Sequence, residues 1–181
     1  MYGRHTVLAF LSIPLVAVTT AHAQQPTKSA GVSDAEIAAI VVAANAVDAE
    51  IGDVAAARAS NAEVKQFGKT MGVDHRAVNE AAVALVGKLK VTPVESATSK
   101  KLLADGAIVK AQLSGKTGAE FDRAYLTHEV EYHKAVIAAV DQLLIPSATN
   151  AELKQTLISV RPAFVAHLQH AEHLLAGLTQ P

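Results

Sequence analysis

Glu129 and His133 lie four residues apart, a spacing that on a helix puts both side chains on one face, where they could grip a single metal ion. Projected at about 100° per residue, the segment around them has a broad apolar face made by Phe121, Tyr125, Leu126, Val130, Val136, Ile137, Val140, Leu143 and Leu144. Asp122, Glu129 and His133 run down the centre of that face, while Arg123, Glu131, Lys134 and Asp141 lie opposite. Glu129 and His133 are therefore expected to point inward. An ionised carboxylate left alone in an apolar interior is costly, so a core Glu must carry a proton, meet a cation or bind a metal. The spacing suits an internal Glu129–His133 ion pair as well as it suits ligation. His128-Glu129 followed by His133 is not a zinc-protease helix, because its histidines are five residues apart rather than four and diverge.

Three further segments offer polar groups against an apolar stripe. Val64, Phe67, Met71, Val78, Leu85 and Leu89 form one stripe, with Asp74 and His75 flanking it. Leu153, Leu157, Val160, Phe164, Leu168, Leu175 and Leu178 form another, with His167 about 50° from its centre and His170 and His173 turning progressively outward. Ile37, Ile40, Val47, Ile51 and Val54 form a third, bordered by Glu50 beside Ala43, Ala46 and Ala57, whose small side chains permit a close helix neighbour. The candidate metal ligands are thus Glu50, His75, Glu129, His133 and His167, with Asp74 as a ligand or as an acceptor behind one. His128, His170, Glu172 and His173 are expected at the surface or rim, and Asp122 is expected to pair with Arg58. There is no cysteine, so ligation is by nitrogen and oxygen, which suits iron, zinc, manganese or copper. The competing reading is that the same residues form a structural hydrogen-bond network.

Four long helices must bring these groups together. Ser33-Asp34-Ala35-Glu36 has the form of a capping box and opens a helix predicted over 34–59. Asn61 caps a second, over 62–90, which Val91-Thr92-Pro93 ends. Residues 91–117 contain a short predicted helix at 97–112 and lead to the break Ser114-Gly115-Lys116-Thr117-Gly118. A third helix is predicted over 119–144, ending before Pro146, and a fourth over 150–177, kinked at Pro162. Glu50, His75, Glu129, His133 and His167 all fall near mid-helix. The expected fold is all-α: a ferritin-like four-helix bundle over 34–178, with a long helix-containing connection between helices two and three. A plain up-and-down bundle is the alternative.

Residues 1–23 read as a secretory signal, with Arg4 and His5 before an apolar run from Val7 to Val18 and small residues at Ala21-His22-Ala23. Cleavage before Gln24 leaves a flexible lead-in over 24–33 and a periplasmic protein. The apolar run is shorter than the roughly 20 residues a membrane span needs, and no cysteine offers a lipid anchor. Formal net charge is −1 with Lys and Arg scattered, which excludes a nucleic-acid footprint. No G-x-S-x-G elbow, phosphate-cradling glycine loop or nucleophilic cysteine is present, so the sequence leans away from an enzyme.

The run AEIGDVAAARASNAEVKQFGKTMGVDH, then SGKTGAEFDRAYLTHEVEYH, then Pro162 followed by His167-Leu168, resembles a bacterial family known as domain of unknown function 4142. The likeness covers about 34 to 176, and its recurrent positions match Glu50, Asp74, His75, Phe121, Asp122, Tyr125, His133 and His167. Gly72 and Arg161 depart from the family pattern, which has a larger apolar residue and a leucine at those places. The resemblance implies an exported, ferritin-like helical protein, either free in the periplasm or loosely associated with the outer membrane. It implies no activity, and the chain lacks both Glu-x-x-His elements of the usual di-iron pattern at the expected places. Two functions follow as expectations: a periplasmic metal-binding bundle, or a non-catalytic envelope protein acting in stress tolerance or through a protein partner.

Overall fold

A computed structural model describes residues 31–178; the expected signal segment and most of the lead-in lie outside the described residues. The described chain is an all-α helical bundle of α1 (Asp34–Arg58), α2 (Ala62–Leu89), α3 (Ala97–Ser114), α4 (Gly118–Ala139), a π-helical turn (Val140–Leu144), α5 (Ile145–Ser147) and α6 (Ala151–Gly177). Among the described residues no helix is long and apolar enough to cross a membrane. The capping box at Ser33 and Glu36 is formed in full, and the Asn61 side chain caps α2 through Glu63 N and Val64 N. Helix α2 stops at Leu89, one residue early, because Lys90 turns left-handed at φ 55°.

Helix α1 packs along α2, and α4 along α6, while α3 lies against α1 inside the long connection. The α1–α2 seam is drawn in by glycine. A Cβ on Gly52 would stand 2.8 Å from Gly68 O, and one on Gly68 would stand 2.8 Å from Gly52 O, so the two backbones meet where neither residue has a side chain.

The two hairpins are locked by a pair of equivalent devices. Asp122, at the start of α4, accepts hydrogen bonds from Ser60 N, Ser60 Oγ and Asn61 N in the α1–α2 turn. Asp34, at the start of α1, accepts from Thr149 N, Thr149 Oγ1 and Asn150 N in the turn before α6. The turns themselves match, reading SNAEVKQ from Ser60 and TNAELKQ from Thr149, and both use Asn as the helix cap. Each hairpin thus satisfies the orphaned amides of the other's turn, which fixes their relative height.

Two expectations are corrected here. Arg58 does not pair with Asp122. Its guanidinium reaches Leu113 O, Ser114 O and Lys116 O at the end of α3 and lies over the Phe121 ring at 5.1 Å. The bare carbonyls at a helix C-terminus attract it there, leaving Asp122 for the turn amides. Nor does the helical run end before Pro146. The Ile145 amide bonds back five residues to Val140 O, and this wider turn carries the chain past a proline that an ordinary i→i+4 ladder would reject. Helix α6 runs through Pro162 as a continuous element.

Asp122→Ala leaves three donors bare at a buried site and should lower stability by about 2–3 kcal/mol. Asp34→Ala, at the equivalent but more open site, should cost less. Urea unfolding of the two variants beside wild type tests this ranking, and equal or negligible losses would contradict it.

Candidate metal centre

The apolar core is divided in two, and on every long helix a polar residue marks the division. One cluster holds Ile51, Phe67, Met71, Phe121, Tyr125 and Ala171; the other holds Ile37, Ile40, Val140, Leu153, Leu157 and Phe164. Between them lie Asn45 and Asp48 on α1, His75 on α2, Glu129 and His133 on α4, and His167 on α6. Asp48 and Glu129 have no exposed surface, and His75 and His133 are 3 % and 1 % exposed.

The three imidazoles form a near-equilateral triangle. Ring centroids are 5.5 Å apart for His75 and His133, 5.3 Å for His75 and His167, and 5.4 Å for His133 and His167. Phe164 stacks on His75 at 5.6 Å with the rings 2° from parallel. One nitrogen of each ring is tied to an acceptor: His75 Nδ1 to Asn45 Oδ1 at 2.8 Å, His133 Nδ1 to the Glu129 carbonyl at 3.0 Å, and His167 Nε2 to Asp74 Oδ2 at 3.1 Å. Each acceptor places the ring proton on the nitrogen it holds, so the other nitrogen carries a lone pair. Those other nitrogens, His75 Nε2, His133 Nε2 and His167 Nδ1, are buried without a hydrogen-bond partner.

The carboxylates complete the set. All four oxygens of Asp48 and Glu129 are buried and lack a hydrogen-bond partner. Asp48 Oδ2 lies 3.1 Å from His75 Nε2 and 3.6 Å from His133 Nε2, and Glu129 Oε2 lies 3.5 Å from His133 Nδ1. The 3.1 Å approach lacks hydrogen-bond alignment. Two overlapping groups could each hold a metal ion, His75 with His133 and His167, and Asp48 with Glu129 and His133, each with ligand atoms within 4.8 Å of one another.

Without a cation, the groups avoid charge. Burial pushes the Asp48 carboxyl up to about 8. Burial, then the neighbouring Asp48 charge, holds Glu129 well above the carboxylate range. Burial, then the charges of His133 and His167, pulls His75 down to about 3, and burial brings His133 to about 4. Burial also lowers His167, partly offset by Asp74. The Tyr125 phenol is raised by burial and then by Glu129 and Asp48.

Glu129, His133, His75 and His167 therefore meet in one place, and Asp74 stands behind His167 as its hydrogen-bond acceptor, with its side chain 46 % exposed. Glu50 does not join them. Its side chain is 59 % exposed and bonded to Lys110 of α3. The inward carboxylate of α1 is Asp48, which sequence reasoning missed along with Asn45. Helix α1 is covered by α2 and also by α3, so its apolar residues spread beyond one stripe, and the stripe through Ile37, Val47 and Ile51 does not single out the α2 side. The small-residue line through Asn45, Asp48, Gly52 and Ala55, at spacings of three and four, marks the face against α2 and was the available signal. His128 is half-buried, with its Nε2 covered and the ring lowered by burial to about 4. His170 and His173 are exposed, as expected.

The chain belongs to the family described as Domain of unknown function (DUF4142), with a match that spans residues 17–174. No curated protein and no solved structure matches it significantly.

In metal-free protein these shifts give stability opposed slopes with pH. Asp48, at about 8 in the fold against an ordinary 3.8, holds a proton that the unfolded chain has lost, so its contribution is complete at low pH and disappears as pH rises through 8. His75 and His133, at about 3 and about 4 against 6.5, bind protons only on unfolding, so their contribution is lost as pH falls below 6.5. From about 7 to 8 few unfolded histidines keep a proton, and the carboxylate slope dominates. The melting temperature of chelated protein should fall with rising pH across that window, and Asp48→Asn should flatten the slope. A melting temperature that rises over the window would contradict the assignment.

Proposed function

We propose that this is an exported, ferritin-like metal-binding protein of the periplasm, holding a transition-metal ion in the bundle core through Asp48, Glu129, His75, His133 and His167. The observation that carries this is the convergence, from four helices, of buried ligand atoms that have no other partner, on rings whose opposite nitrogens are already tied. A hydrogen-bond network satisfies its members with aligned donors, whereas here the Tyr125 hydroxyl and the two carboxyls themselves stand near the four carboxylate oxygens without alignment. Three imidazoles and two carboxylates without a thiolate suit iron, zinc, copper or manganese. A bound ion would supply the positive charge that Asp48 and Glu129 lack, and would serve as a Lewis-acid or redox centre according to its identity. Asn45 and Asp74 would hold His75 and His167 in the ligating tautomer. Export is supported by the signal-like residues 1–23, and the function is read as binding rather than catalysis.

Metal content by mass spectrometry, on protein purified from a periplasmic extract without tag or chelator, tests the proposal. Wild type should carry near-stoichiometric metal, and His133→Ala, which removes the residue common to both groups, should carry none. Asn45→Ala should weaken affinity by about 10–100-fold, whereas Glu50→Ala should leave content unchanged. Metal retained in His133→Ala, or wild type that stays empty and gains no thermal stability from added iron, zinc, copper or manganese, would sink it.

A further inference from the structure

Beside the metal centre, and separate from it, lies a cavity of about 450 Å³ enclosed by α1, α3, α4 with its π turn, and α6. Its wall is almost wholly apolar, with Ile40 from α1, Leu102 and Val109 from α3, Val136 and Ala139 from α4, and Val160 from α6. The volume falls within the range of small-molecule sites. None of the five proposed ligands lines it; Asn45, Tyr132 and Phe164 stand between.

The polar inventory of the wall is short. Asn45 is spent on Val41 O and His75, and the Tyr132 hydroxyl on Ala44 O. His128 also lines the cavity, with its Nε2 covered by surrounding protein. Toward solvent the wall carries Thr98, Asp105 and Glu131. Asp105 is paired with Lys101, while Glu131 meets no cation among the described residues, so the mouth repels anions. The π turn contributes Val140 and Leu144 to the same wall, an irregularity of the kind that recurs where helices shape a site.

We propose that this cavity binds a slender, uncharged, largely apolar molecule of the medium-chain alkyl class, held by its apolar wall. A carboxylate of equal chain length is disfavoured by the acidic mouth and by the loss of its hydration inside. The proposal stands apart from metal binding, since it rests on the cavity alone.

Calorimetric titration of the purified protein with 1-octanol and with octanoate, with and without chelator, tests it. Octanol should bind saturably at one per chain in both conditions, and octanoate at least about tenfold more weakly. Ala139→Phe, which fills the cavity, should lose saturable binding; if circular dichroism shows that variant unfolded, Leu102→Trp on α3 carries the same expectation. Absence of saturable octanol binding to wild type, octanoate binding as tightly as octanol, or a folded cavity-filled variant that still binds would overturn it.

Discussion

Asp48 and Glu129 bring two carboxyl groups, with no exposed surface and no aligned hydrogen-bond donor, together at the apolar centre of the bundle. Such a pair is tolerable only if protons or a cation neutralise it. Everything around it is consistent with the second solution. Three imidazoles aim partnerless nitrogens at the same region, and each is held from behind by an acceptor that keeps the ring proton out of the way. The protonated carboxyls and neutral imidazoles that burial enforces in the metal-free protein are the form such a site takes without its ion.

The polar belt constrains the rest of the fold. Asn45 with Asp48, His75, Glu129 with His133, and His167 must reach one height on four helices, with an apolar cluster on each side. The devices that set those heights lie at the ends. Asp122 and Asp34 each tie one hairpin to the turn of the other, and the Gly52–Gly68 contact sets how closely α1 approaches α2. The repeated turn sequence shows that the two hairpins solve the same problem in the same way.

Much of this was legible in the sequence. Glu129, His133 and His75 were found because α2 and α4 are amphipathic, with solvent on one side and core on the other. Asp48 was not, because α3 covers the outside of α1 and makes an apolar residue there as favourable as one inside. Glu50, chosen in its place, lies toward α3 and meets Lys110. Arg58 was misassigned for a different reason: a charge-pairing rule ignores unsatisfied backbone carbonyls, and the end of α3 offered three. The family could be recognised from motif runs that span the chain, and it brings no activity with it.

The most direct measurement is a crystal structure of metal-loaded protein, with anomalous diffraction recorded at the absorption edge of the bound ion. The peak should lie in the bundle core, with Asp48, Glu129, His75, His133 and His167 supplying the ligand atoms. No peak in the core, or one confined to the exposed His170 and His173, would contradict a metal centre built between the four helices.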